Sequence, residues 1–120
     1  MKYMLLVHLD VERMFKQSRE EWAQLDRDSL AYDEELKQRG HYITSSALQD
    51  ANSAVIVRRT EDGVSTTDGP FVETKEHLGG FIFVEARDLN QAIEIAAGIP
   101  VGKFGAIEVR PELVIDPDSH

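Results

Sequence analysis

Two side chains of this chain are suited to proton transfer, His8 and Asp68. His8 closes a short apolar segment, and an imidazole titrates near neutral pH, as a general base must. A carboxylate such as that of Asp68 can fix the imidazole tautomer and stabilise its protonated form. We therefore predict His8 as the proton acceptor and Asp68 as its partner or as a ligand-binding group. Two simpler interpretations remain open: a polar strand end for His8 and a turn cap for Asp68.

A second group of charged side chains could hold a substrate. Glu73, Lys75 and Glu76 follow one another closely in the sequence, and Arg110 lies near its end. A lysine between carboxylates can anchor an anion, and an arginine can bind a carboxylate through two parallel hydrogen bonds. These four residues are candidate binding residues for a small polar or acidic ligand. Ordinary solvation of a charged surface is the alternative.

The segment Asp68-Gly69-Pro70 comes shortly before Glu73 and predicts a sharp turn. Aspartate accepts hydrogen bonds from the backbone that follows it, glycine tolerates a positive φ, and proline fixes its own φ. Downstream, Gly79-Gly80 lacks the glycine-rich strand-to-helix context of a phosphate loop, so no nucleotide or other cofactor is indicated. His77 has no ligand-type residues at metal spacing, and we predict no metal site.

The hydrophobic pattern predicts the elements that must position these residues. Ser18 to Glu21 form a capping box that starts a long helix, which Gly40 ends, and Asp88 starts a second, shorter helix. Strands are predicted over residues 3–9, 41–48, 54–59, 64–67, 80–85 and 106–113, and residues 114–120 as a loose tail.

One face of the long helix should pack against the sheet. The apolar residues that recur at helical spacing are Trp22, Leu25, Tyr32 and Leu36. The charged residues between them are expected to point elsewhere: Asp26, Asp33, Glu34 and Lys37.

The order of elements predicts an α+β fold. Strand-helix-strand, an inserted hairpin and a second strand-helix-strand form the split βαβ pattern of ferredoxin-like folds, with an antiparallel sheet and both helices on one face. The strands at residues 3–9 and 80–85 are apolar on both alternating faces. Because two helices cover only one side, the other side needs a partner, and we predict a homodimer through the sheet faces.

Composition limits the functional classes further. A chain of 120 residues with 42% apolar residues suits one domain, and the absence of cysteine excludes disulfides and thiolate chemistry. The net charge of −9 would repel nucleic acid. No apolar segment approaches the length of a membrane span, and the amino end lacks a signal-peptide pattern. A cytoplasmic protein is the expectation.

Several segments in order along the chain resemble one family. They are Lys2-Tyr3-Met4-Leu5-Leu6, Asp68-Gly69-Pro70-Phe71, Glu73-Thr74-Lys75-Glu76, Asp88-Leu89 with Ala92, Ile99-Pro100 and Glu108-Val109-Arg110-Pro111. With these segments the chain resembles the DGPF group of the YCII-related proteins, as a single domain over residues 1–120. The resemblance implies a dimeric α/β barrel, in which two ferredoxin-like subunits pack sheet against sheet. The activity of this family is mostly undefined.

The resemblance leaves function open between two hypotheses. Some YCII-related proteins have been suggested to use a His and Asp pair with the His near the first helix, but this chain has no His between residues 9 and 40. One hypothesis is a small-molecule enzyme in which His8 transfers a proton in a pocket between helix and sheet. The other is a non-catalytic dimer that binds a ligand or acts as a regulatory protein, because DGPF-type relatives are associated with extracytoplasmic-function sigma factors.

Overall fold

A computed structural model describes residues 1–120. Its order is β1 (Lys2–Leu9), α1 (Val11–Met14), α2 (Arg19–Gln38), β2 (Tyr42–Ala47), β3 (Val55–Thr60), β4 (Gly63–Asp68), β5 (His77–Glu85), α3 (Leu89–Ala97) and β6 (Gly105–Pro111). Short 3-10 turns cover Ala51–Ser53, Pro100–Phe104 and Pro117–Ser119. The predicted strands and both predicted helices are present, and α1 is an addition that the hydrophobic pattern does not indicate.

Four strands form an antiparallel sheet in the order β2-β5-β1-β6. Helix α2 connects β1 to β2, and α3 connects β5 to β6. This arrangement confirms the predicted α+β class with an antiparallel sheet. The strands β3 and β4 form a separate two-stranded sheet, so the inserted hairpin stands apart from the main one.

The helices begin where the sequence predicts and cover one face of the sheet. At the start of α2, Ser18 Oγ accepts from the Glu21 N–H at 3.1 Å, and Glu21 Oε1 accepts from the Ser18 N–H at 3.1 Å. Hydrogen bonding by the backbone and the side chain of Ser18 lowers the pKa of Glu21. Beneath α2 and α3 lies the main core, made of Tyr3, Leu5, Leu36, Ile82, Val84, Ala86, Ala92, Ile95, Ala96 and Ile99.

The opposite face of the sheet has no helix over it. Side chains alternate along β1, so Leu5 and Val7 are buried against the helix layer while Leu6 and His8 lie partly exposed on the other face. We call this second surface the open face. Its large apolar residues include Met4, Leu6, Phe81 and Phe83.

The hairpin and the tail are largely exposed. Gly69 has φ 104, the positive value that the Asp68-Gly69-Pro70 turn requires, and Gly63 has φ 125 where β3 turns into β4. Residues 114–120 are exposed and form no strand, and Pro117–Ser119 within them form a 3-10 turn. No helix combines the length and the hydropathy needed to cross a bilayer.

Candidate functional site

A charged recess lies at the end of β1. It has a volume of about 620 Å³ and is lined by His8, Asp10, Arg13, Thr74, Lys75 and Glu76. We call it the polar recess. The end of β1 and the first turn of α1 supply its base, and the loop before β5 brings the other three residues beside them.

His8 in this recess pairs with Glu108 of β6. The Nε2 atom of His8 lies 2.9 Å from Oε1 of Glu108, and 31% and 47% of the two side chains are exposed. In the register of β1 with β6, His8 is opposite Ala106 and Leu6 is opposite Glu108. His8 and Glu108 are therefore diagonal neighbours on the open face, within reach of each other. An ionised carboxylate only accepts, so Nε2 is the donor in this contact, and in a neutral imidazole of this tautomer Nδ1 has the lone pair.

Asp10 is the buried carboxylate of the recess, with 4% of its surface exposed. Its Oδ1 accepts from the Arg13 N–H at 3.3 Å, which caps α1, and its own N–H donates to the Phe104 carbonyl at 2.8 Å. Lys75 Nζ lies 3.8 Å from its Oδ2. Asp10 thus fixes the backbone just after His8 and places a negative charge below Lys75.

Two cations border the recess in different ways. The Arg13 guanidinium donates to the Lys103 carbonyl at 3.1 Å and lies 5.9 Å from the centre of the Phe104 ring, so protein contacts hold it in place. Lys75 is 76% exposed, and its ion pair is the 3.8 Å contact of Nζ with Asp10 Oδ2. The Thr74 hydroxyl donates to the Glu76 carbonyl and closes the loop around Lys75. Lys75 is therefore the cation that a ligand could reach.

Of the predicted site residues, the structure brings together His8, Lys75 and Glu76. The structure does not pair His8 with Asp68: Asp68 ends β4 in the separate hairpin, opposite Val55, and forms no ion pair with His8. The Asp68 side chain does not cap the turn either, because Pro70, two residues on, has no N–H to donate. The Gly69 N–H donates to the Ala54 carbonyl at 2.8 Å. The hairpin pairing decides where Asp68 lies.

The other two predicted binding residues lie outside the recess. Glu73 is exposed in the loop after β4, and Arg110 is exposed on β6 opposite Met4, two residues beyond Glu108. Neither forms an ion pair, and neither lines the recess. Sequence reasoning missed Glu108, Arg13 and the burial of Asp10. An aspartate directly before a helical turn was the one available signal, since Glu108 joins His8 only through sheet pairing.

A second and less polar cavity lies between α2 and the sheet. We call it the helix–sheet cavity; its volume is about 410 Å³ and most of its lining side chains are apolar. Val7 and Leu9 line it but His8 does not. The predicted position of His8 in a pocket between helix and sheet is therefore wrong, because alternation along β1 turns His8 to the opposite face.

Two aspartates of α2 also line this cavity, although the pattern predicts that they point away from the sheet. They are Asp26 and Asp33. Ser45 Oγ donates to Asp33 Oδ2 at 3.4 Å and lies 2.6 Å from the Tyr42 hydroxyl. Burial raises the pKa of Asp33, and the hydrogen bond from Ser45 opposes this shift. Burial likewise raises the pKa of Tyr32, whose hydroxyl donates to the Ile95 carbonyl at 2.7 Å.

No three His, Asp or Glu side chains converge closely enough to hold a metal ion. The class of protein is thus a small α+β domain with an antiparallel sheet, a charged recess on one face and an apolar cavity under its long helix.

The comparison with known proteins agrees with this description. The family model for the YCII-related domain matches residues 1–115, and the chain belongs to that family. A relative, the "Uncharacterized protein R00369" of Rhizobium meliloti (strain 1021), is 29% identical over 119 residues, which cover 98% of this chain and 96% of the relative.

Proposed function

We propose that this YCII-related protein is a homodimeric enzyme that transfers a proton on a small organic acid in the polar recess. The observation that supports this proposal is the 2.9 Å contact between His8 Nε2 and Glu108 Oε1, next to the exposed cation of Lys75. Glu108 takes the role that the sequence pattern gives to Asp68.

Each residue of the recess has a role in this reaction. Nδ1 of His8 accepts a proton from the carbon next to a carbonyl, and the carboxylate of Glu108 stabilises the imidazolium that forms. Lys75 binds the carboxylate of the substrate as a point charge, with Glu76 beside it. Arg13 adds positive charge at the edge of the recess, which favours the enolate that develops when the proton leaves.

Deuterium exchange tests this reaction without a known physiological substrate. NMR would follow the loss of α-protons from pyruvate, oxaloacetate, 2-oxoglutarate and acetoacetate in D₂O. We expect exchange to be accelerated by the wild-type protein and to fall on the order of 100-fold in His8→Gln, because a positioned general base contributes about that much or more. Glu108→Gln should give a smaller loss.

The matched control is His41→Gln, because His41 is bonded through Nδ1 to the Glu85 carbonyl, away from the recess. Circular dichroism should show that all variants remain folded. Wild-type protein that accelerates none of the four exchanges, or equal rates in His8→Gln and His41→Gln, would contradict the proposal.

The homodimer of this proposal forms through the open face as a dimeric α/β barrel. The open face carries four large apolar side chains with no helix over them, and the hairpin exposes Val57 and Val64 by 63% and 67%. Isolated two-stranded sheets are marginally stable in water, so packing on a second subunit would also stabilise the hairpin.

Sedimentation velocity tests the dimer. Phe83→Lys places a charge on the open face and should shift the protein to monomer, while Leu30→Lys, at a residue of α2 that is 70% exposed, should leave the dimer intact. A wild-type monomer at micromolar concentration would contradict this part of the proposal.

The alternative function is that of a non-catalytic cytoplasmic dimer that binds a ligand. In this alternative the protein acts as a regulator, because DGPF-type relatives are associated with extracytoplasmic-function sigma factors. The apolar lining of the helix–sheet cavity favours ligand binding without assigning chemistry to it. A ligand-dependent rise in melting temperature without exchange of substrate protons would favour this alternative over the enzyme.

A further inference from the structure

The helix–sheet cavity is separate from the polar recess and has the size of a ligand site. Its volume of about 410 Å³ falls within the range of small-molecule pockets, roughly 300–1,000 Å³. Trp22 and Asp33 both line it, eleven residues apart on α2, which corresponds to about 16 Å along the helix axis. The cavity is therefore elongated, with an aromatic side chain toward one end and a carboxylate toward the other.

The charges of the cavity have one dominant sign. Asp26, Asp33 and Asp50 line it, no Lys or Arg does, and His77 is the one lining side chain that can become a cation. Asp50 already accepts from the Asn52 N–H at 3.1 Å, which caps the turn after β2. An anion would meet three carboxylates in a mostly apolar space, whereas a cation would be stabilised there.

Asp33 is the carboxylate best placed to bind a ligand. Its Oδ2 accepts one hydrogen bond, from Ser45 at 3.4 Å, and Ser45 is fixed in turn by the Tyr42 hydroxyl at 2.6 Å. Its Oδ1 accepts no hydrogen bond from the protein. The burial that raises the pKa of Asp33 also means that a cationic partner would recover part of the lost solvation.

We infer that the helix–sheet cavity is a second ligand site, which binds an elongated organic amine with an aromatic or aliphatic body, its ammonium group on the Asp33 carboxylate. The ammonium donates to Oδ1, and the apolar body packs along Trp22, Leu25 and the sheet. This site lies on the opposite face of the sheet from His8, so it does not depend on the reaction proposed for the polar recess.

A matched series of three probes tests the charge preference: 4-phenylbutylamine, 4-phenylbutanol and 4-phenylbutyrate. Trp22 is the single tryptophan of the chain and lines the cavity, so its fluorescence reports occupancy directly. We expect the amine to bind at least about tenfold more tightly than the carboxylate, with the alcohol between them. Melting temperatures at saturating probe should rise in the same order.

Two variants locate the binding site. Asp33→Asn should bring the affinity for the amine to within about threefold of that for the alcohol, because the charge is lost and the shape is kept. The control is Asp28→Asn, the same change on the same helix at an exposed residue bonded to Gln24, and it should bind as the wild type does. Ser29→Phe, which fills the cavity, should weaken binding of all three probes.

Three results would overturn this inference. They are the absence of any fluorescence or melting response to the amine in the wild-type protein, equal affinities for the amine and the carboxylate, and identical binding by Asp33→Asn and Asp28→Asn. If Asp33→Asn fails to fold, the wild-type probe series and Ser29→Phe still decide the question.

Discussion

The polar recess and the helix–sheet cavity lie on opposite faces of one sheet and differ in composition. Apolar side chains line most of the cavity, which contains no Lys or Arg. All six residues of the recess are polar or charged, and they include Arg13 and Lys75. Strand β1 contributes to both, with Val7 and Leu9 facing the cavity and His8 facing the recess. A single residue step along β1 thus separates two chemical environments.

This difference shows how strongly strand alternation controls the assignment of a site. The sequence pattern predicts that His8 lies in a pocket between helix and sheet and that Asp33 points away from the sheet. The structure reverses both expectations. Because the side-chain period of a strand is two residues, the face of a strand residue cannot be inferred from its neighbours' hydrophobicity when both faces are apolar.

The largest expected change in the free energy of unfolding comes from a comparison of two adjacent leucines of β1, one on each face of the sheet. Leu5→Ala should lower the free energy of unfolding by about 2–5 kcal/mol, because Leu5 is 0% exposed in the core under the helices. Leu6→Ala on the open face should cost a dilute monomer only about 1 kcal/mol. Urea denaturation at several protein concentrations measures both.

The concentration series also separates the two faces. If the open face forms a dimer interface, the loss for Leu6→Ala should grow with protein concentration and the loss for Leu5→Ala should not. Equal losses for the two variants in dilute solution would contradict the one-sided burial of β1.

A smaller loss of stability should distinguish Asp10, which lies in the recess, from Asp68, which the sequence pattern pairs with His8. Asp10→Ala should lower stability by about 1–2 kcal/mol, because it removes the cap of α1 and a buried hydrogen-bond acceptor. The control, Asp68→Ala, changes an exposed side chain of the hairpin and should stay within about 0.5 kcal/mol of the wild type. Thermal unfolding of both variants measures this difference, and a larger loss for Asp68→Ala would contradict the structural role of Asp10.

The smallest effect is a pH dependence confined to the cavity. Burial raises the pKa of Asp33, so the folded protein binds a proton at Asp33 more tightly than the unfolded chain does. The stability that this proton contributes is present below the ordinary pKa of an aspartate and is lost as pH rises through the raised pKa. The stability of the wild type relative to Asp33→Asn should therefore fall as pH increases from about 4. Urea unfolding of the two proteins across this range checks the sign, and a difference that grows in the opposite direction would contradict the burial of this carboxylate.

Local patterns predict most of the fold. The Ser18 capping box, the Asp68-Gly69-Pro70 turn and the apolar runs of β1 and β5 act over a few residues, and each appears as predicted. Helix α1 is not predicted, because it is a short turn held by the Asp10 cap and by the bond from Asp10 N–H to the Phe104 carbonyl, which is distant in sequence. The candidate site is predicted only in part, since His8, Lys75 and Glu76 meet while Asp68, Glu73 and Arg110 lie elsewhere.

The α+β class and the boundaries of α2 and α3 follow from capping, turn geometry and hydrophobic periodicity, which are local properties of the chain. The family is read from the order of short segments along the chain, and the family model over residues 1–115 confirms it. The partner of His8 depends instead on how distant strands pair. Glu108 reaches His8 across a strand pairing that joins residues 100 positions apart, and Asp68 is carried away by the hairpin. Sheet register and the alternation of faces are set by how distant strands pair and pack, so they decide which charged groups share a recess.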